Sequence, residues 1–214
     1  MSQSSPGSDV PEAVVIEKVM KQNYVTLVKV LAARIVVIVV LVAVPIALYR
    51  AGAPNSFFLV LPFVPAMFLL VLTGYRLWGG VRLIQCKKVL RHYPLRFHTR
   101  VVKKGSLWTE YGNVFEVKIS TRGGHGAPLM KAINAAGRRR WPGGTEHGAW
   151  IAGDLDFGGV MIVPGSNAML FLNPADWDKS ASRREQAGAE RIARAEQAGI
   201  NKRNWRKPIL LWGA

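Results

Sequence analysis

Two long runs of apolar positions dominate the first third of the chain. Ile35 to Leu48 reads IVVIVVLVAVPIAL, 14 residues without a charge, and extends back through Val30 at the cost of including Arg34. Phe57 to Thr73 is a second uncharged run of 17 residues, continuing through Gly74 and Tyr75. Neither run carries the polar stripe of a helix lying on a soluble core. A bilayer core of about 30 Å takes ~20 helical residues, so the pattern predicts two transmembrane helices over about 30–48 and 57–75. The eight residues between them (49–56) predict a tight antiparallel hairpin, 23–80 in all. The region ahead of the first run is too long and too acidic (Asp9, Glu12, Glu17) for a signal peptide, so that helix is read as uncleaved. Pro62 and Pro65 predict a kink in the second helix.

Before the hairpin, residues 1–22 read as a Ser/Pro/Gly-rich disordered start and then an amphipathic lead-in. Over 12–29 Val14, Val15, Val19, Met20 and Tyr24 share a helical face, lying on the membrane or continuing into the first helix.

After the hairpin the period changes from helical to alternating. Runs at 95–103, 113–120, 149–154, 159–163 and 168–173 read as strands separated by Gly, Pro, Asn and Asp turns. They predict a small, mainly antiparallel, barrel-like β domain of about five or six strands over 89–175. Within the long interval 121–148, Leu129 to Ala136 reads as a short helix stopped by Gly137, and the rest as a basic, glycine-rich loop. Residues 176–214 read as a charged C-terminal helix, capped by Asp176 or Asp178, ending near Gly199 and carrying a Glu190–Arg194 pair. A mixed apolar and basic tail follows. The fold class is therefore a membrane protein: a two-helix transmembrane hairpin, a barrel-like β domain and a C-terminal helix.

Charge then fixes an orientation. The chain has 29 Lys+Arg against 13 Asp+Glu, a formal charge of +16. Residues 76–214 carry 24 basic and 10 acidic side chains, so +14 lies after the second helix. Nine cations and no acid fall within 76–104, while the hairpin loop holds only Arg50. The positive-inside rule places both termini in the cytoplasm, as a two-pass protein. The single cysteine, Cys86, excludes an internal disulfide and suits a reducing compartment. As the only thiol it is also a natural topology probe.

Catalytic signatures are missing. The chain has no Walker A loop, no GxGxxG after a strand, no HExxH and no GxSxG. The four histidines (92, 98, 125, 147) lack metal-ligand spacing, and Asp154-Leu155-Asp156 reads as turn chemistry, not a metal-binding pair. No catalytic, cofactor or metal site is expected.

What remains is a set of binding candidates. Arg34, Arg76, Arg82, Lys87, Lys88 and Arg91, with Arg138, Arg139 and Arg140, are candidates for lipid headgroups or another anion. Arg34 lies about one turn inside the first helix, where its guanidinium can snorkel to the headgroups; the alternative is a functional charge facing a partner helix. Tyr75 and Trp78 are candidate interface anchors, and Trp205, Leu210, Leu211 and Trp212 would dock the tail on a partner, the membrane or the sheet. Anionic lipid is favoured over nucleic acid as the polyanion, although Arg138–Arg140 beside Trp141 could stack on a base.

The leading expectation is a non-enzymatic module that binds, scaffolds or serves as an accessory subunit on the anionic inner surface, with a protein partner or second copy. The alternatives are a membrane-anchored sensor or enzyme with a pocket at 121–148, and a membrane-tethered nucleic-acid binder.

The stretches VLRHYPLRF (89–97) and RWPGGTEHGAWIAGDLDFGGVMIVPGSNAMLFLNPADW (140–177) carry a resemblance as well. Over about 78–177 the chain resembles small two-helix integral membrane proteins of high-GC Gram-positive, actinobacterial-type bacteria with a β-rich C-terminal domain. The resemblance implies the architecture and brings no active site with it.

Overall fold

The structure, a computed structural model, describes residues 15–52, 60–109, 112–120, 128–137 and 140–202. Helix α1 (Ile16–Arg50) has 35 residues and α2 (Phe63–His92) has 30. At 1.5 Å per residue α1 is about 52 Å long, well beyond its apolar run. The lead-in is therefore not a separate element: residues 16–22 are the first turns of α1. In α2 the expected kink is replaced by a helix start. Pro62 is the N-cap and Pro65 sits in the first turn, where a missing N–H costs nothing. The helix ends because Pro94 forces Tyr93 into extended backbone (φ −124°, ψ 132°).

Seven strands follow: β1 (Arg96–His98), β2 (Val101–Thr109), β3 (Gly112–Ile119), β4 (Leu129–Asn134), β5 (Ala149–Asp154), β6 (Gly158–Val163) and β7 (Ala168–Pro174). They form one antiparallel sheet in the order β1-β5-β6-β7-β4-β3-β2, curled into a half-barrel. The two edge strands, β1 and β2, are consecutive in the chain and joined by a two-residue corner, Thr99-Arg100. Ser120 N–H donates to Arg100 O (3.1 Å), extending the β2–β3 ladder up to that corner. A bulge at Lys104 in β2 adds to the bend. The single run expected at 95–103 is thus split, and its halves lie at opposite edges.

The short helix expected at Leu129–Ala136 is instead β4, with a turn at Ala135-Ala136. Eight residues with alternate apolar positions fit either period. Pairing with β3 on one side and β7 on the other decides for strand.

Strands β6 and β7 are buried along their whole length because both faces of the sheet are covered. Met161, Val163, Leu170 and Leu172 face the concave side with Val117, Ile119 and Met130. Val160, Ile162, Met169 and Phe171 face the convex side, packed with Val19, Met20 and Leu27 of α1 and Leu83, Cys86 and Val89 of α2. The N-terminal part of α1 and the C-terminal part of α2 are therefore part of the β domain's core.

The expected C-terminal helix is two helices, α3 (Ala181–Glu185) and α4 (Ala189–Ala198), broken at Gly188 (φ 79°). Helix α4 stops at Gly199 in left-handed backbone (φ 73°), and Arg194 pairs with Glu190 at 2.6 Å. It is not merely solvated. Ala195 and Ala198 are fully buried in the cluster that holds α2, their small side chains allowing close approach.

Candidate membrane-facing and anion-contacting surface

The arginines at the hairpin base are structural. Arg34 does not reach along α1 toward a surface; its Nη1 donates to the Leu72 carbonyl of α2 at 3.0 Å. Arg76, one turn further along α2, donates from Nη1 to the Gly137 carbonyl at the end of the β4 turn. Gly137 has φ 70°, and a Cβ there would lie 2.7 Å from Arg76 Nη1. The glycine read as a helix stop is thus what lets an arginine pin the sheet to the hairpin. Arg82 is half-buried, and its charge bears on the buried Cys86 thiol.

Lys87, Lys88 and Arg91 are exposed on α2, as is Arg140. Tyr75 and Trp78 are also exposed. Arg138, Arg139, Trp205, Leu210, Leu211 and Trp212 lie outside the described residues, as do residues 121–127 of the 121–148 loop. Trp141 is not a free stacking platform. Its ring meets Phe115 edge-on at 5.0 Å, and its Nε1 donates to Thr145 Oγ1 at 2.8 Å.

Cys86 is fully buried between α2 and the sheet, and that desolvation pushes its thiol pKa far up. It cannot serve as a topology probe in the folded protein. We expect an impermeant maleimide to leave the folded chain unlabelled and to react after denaturation in SDS. Labelling of the folded protein in mild detergent would contradict the burial.

The Asp154-Leu155-Asp156 pair is engaged by arginines. Arg191 of α4 grips Asp154 in a two-pronged contact (Nε–Oδ2 2.8 Å, Nη2–Oδ1 2.9 Å) and reaches Asp156 Oδ2 at 3.3 Å. Arg183 of α3 adds a contact to Asp156 Oδ1 at 3.5 Å. The hydrogen bonds to Asp154 hold the Arg191 guanidinium above its usual pKa. Arg184 lies over the Trp177 ring, 3.8 Å from its centroid, and burial draws its pKa down. The β5–β6 turn is therefore clasped to the C-terminal helices. The Arg191 side chain is 49% exposed against 13% for Asp154. Arg191→Ala is accordingly expected to cost only about 1 kcal/mol, read as a lower melting temperature in mild detergent, with the difference shrinking at high salt. A salt-independent loss would mean packing, not charge, carries the contact.

Among the described residues no group of three or more His, Cys, Asp or Glu side chains comes together as a metal site. His98 Nδ1 lies 3.3 Å from Ser120 O, closing the β1–β2 corner. A shallow apolar groove lies on α1, lined by Ile38, Val39, Val42, Ala43, Ile46 and Arg50. No protein family, no curated protein and no solved structure matches the chain.

The feature that sequence reasoning missed is the pairing of Arg34 and Arg76 with backbone carbonyls. Their partners lie 38 and 61 residues away in the chain. A carbonyl has no sequence signature, so only the lone charge inside an apolar run hinted at such a contact.

Proposed function

We propose that the chain is a two-pass integral membrane protein. Its β half-barrel would be held at the anionic, cytoplasmic surface of a bacterial inner membrane as a binding or accessory-subunit module, with no reaction of its own. Its first partner is the bilayer, and a protein partner or second copy is the expected cargo of the scaffold.

One observation carries the reading. Both helices are long and apolar enough to cross a membrane, and their most apolar 18-residue stretches are only 6% and 17% buried. The same helices bury their other halves in the core of the β domain. A soluble protein would not cover one end of a helix pair and leave the greasier end in water. The cations at Lys87, Lys88 and Arg91 support the orientation, each worth about 1 kcal/mol near an anionic leaflet.

Two measurements test it. The full chain should stay with membranes through alkaline carbonate washing. A Lys88→Cys variant should react with an impermeant maleimide in inverted vesicles and not in intact cells, because the native thiol is buried. Release by carbonate would overturn the membrane reading, and labelling of intact cells would overturn the orientation.

A further inference from the structure

The apolar surface of the hairpin does not stop where Arg76 meets the sheet. On the face of α2 turned away from the sheet, Leu77, Trp78, Val81 and Ile84 are each 44–59% exposed. On α1, Val25 and Val28 are 43% and 59% exposed. The two helices are in a known register. Arg34 reaches the Leu72 carbonyl, and a Cβ on Gly79 would meet Leu27 Cδ1 at 3.0 Å. Stepping along both antiparallel helices, Val28 is level with Trp78, Val25 with Val81, and Lys18 with Lys88.

The exposed stripes then change character at one level. On α2 the positions Leu77, Val81, Ile84, Lys88 and Arg91 follow one another at helical spacing, apolar through Ile84 and cationic after it. On α1 the positions Val28, Val25, Lys21 and Lys18 do the same in reverse, apolar as far as Val25. Lys29 lies higher, but a helical side chain leans toward its own N-terminus, which here carries the ammonium toward this cationic level. From Phe63 to Ile84 is about 33 Å of helix, the thickness of a hydrocarbon core. On the sheet side the polar rim is higher: the Arg76–Gly137 contact sits two turns, about 12 Å, above Ile84.

We infer that the membrane boundary runs obliquely across the hairpin. Lipid tails cover the open face down to Ile84 and Val25, while on the other face the boundary stops at Arg76 and the β domain. Lys18, Lys21, Lys88 and Arg91 hold the anionic headgroups at the lower rim. The hairpin therefore crosses the bilayer tilted toward its own domain, as spanning helices commonly are tilted. The occupant of the open face is lipid because the stripe is continuous with the apolar run above it and ends in cations on both helices at once. This rests on the membrane reading proposed above.

The test uses the full chain in vesicles of phosphatidylcholine and phosphatidylglycerol, with nitroxide labels on Val81→Cys, Ile84→Cys and Lys88→Cys. Val39→Cys and Phe68→Cys report on the main apolar stretches. Collision with oxygen and with a water-soluble nickel chelate gives the surroundings of each label. Expected is oxygen-dominated collision at 39, 68, 81 and 84, and nickel-dominated collision at 88. If 39 and 68 face lipid but 81 and 84 face water, the oblique boundary is overturned and the membrane reading stands. If 39 and 68 also face water, both fall. Spin–spin broadening at 81 and 84 would assign the open face to a second copy and overturn the lipid assignment.

Discussion

Expressed without its helices, the β half-barrel is expected to aggregate. A fragment covering 95–202 would expose Val160, Ile162, Met169 and Phe171, which in the full chain lie against Leu27, Leu83, Cys86 and Val89. Burying an aliphatic or aromatic side chain is worth about 1.5–3 kcal/mol, so these four hold about 6–12 kcal/mol. That equals the whole net stability of a typical domain, about 5–15 kcal/mol. The fragment should partition to the pellet, bind dyes that report exposed apolar surface, and show no cooperative melt by circular dichroism. A soluble, monomeric, cooperatively melting fragment would show that the helices decorate the domain and do not complete it. Partner-binding experiments on this protein accordingly need the full chain in detergent or lipid.

The largest single-residue effect is expected at Gly153. It sits opposite Gly159 in the β5–β6 pair with φ 137°, backbone that side chains rarely adopt. A Cβ there would come within 2.5 Å of both Gly158 O and Gly159 Cα. These are backbone atoms of the partner strand, so relief requires breaking the pairing next to the Asp154 clasp. Gly153→Ala should cost about 3–4 kcal/mol, seen as a large drop in melting temperature or denaturant midpoint in mild detergent. Gly143 is the control: it is exposed and a Cβ there meets nothing within 4 Å. Gly143→Ala should stay within about 0.5 kcal/mol of the parent. Equal effects at the two positions would remove the steric explanation.

The two apolar helices were legible because their information is local: a run of Val, Ile and Leu needs no partner to be recognised. The central strands β6 and β7 were legible for a related reason, since GVMIV and AMLFLN are short apolar runs between turn residues. Strand β4 was not. Its LMKAIN segment takes its identity from β3 and β7, one before it and one 34 residues beyond its end. The Thr99-Arg100 corner escaped notice as well, because a single alternating run over 95–103 does not announce that its halves part company. The candidate site divided along the same line. Lys87, Lys88 and Arg91 are exposed as a cationic helix face should be. Arg34 and Arg76 were drawn inward by carbonyls that no spacing rule can locate, and Cys86 lost its use as a probe to a core that only the folded sheet supplies.

The order of the sheet also has a consequence in time. Strand β1 pairs only with β5 in the sheet, Arg96 lying opposite Ile151, so 55 further residues must be made before the first strand finds its neighbour. At about 5–20 residues per second that is a wait of roughly 3–11 s. The apolar hairpin is complete before the wait begins, and Leu95 just ahead of β1 packs into the cluster formed around α2. The helices can thus hold the first strand in place while β2, β3 and β4 pair with one another locally. A chain that ended before Ala149 would leave β1 without the strand it pairs with, so quality control on an early-terminated product would meet an unpaired edge beside the helical hairpin.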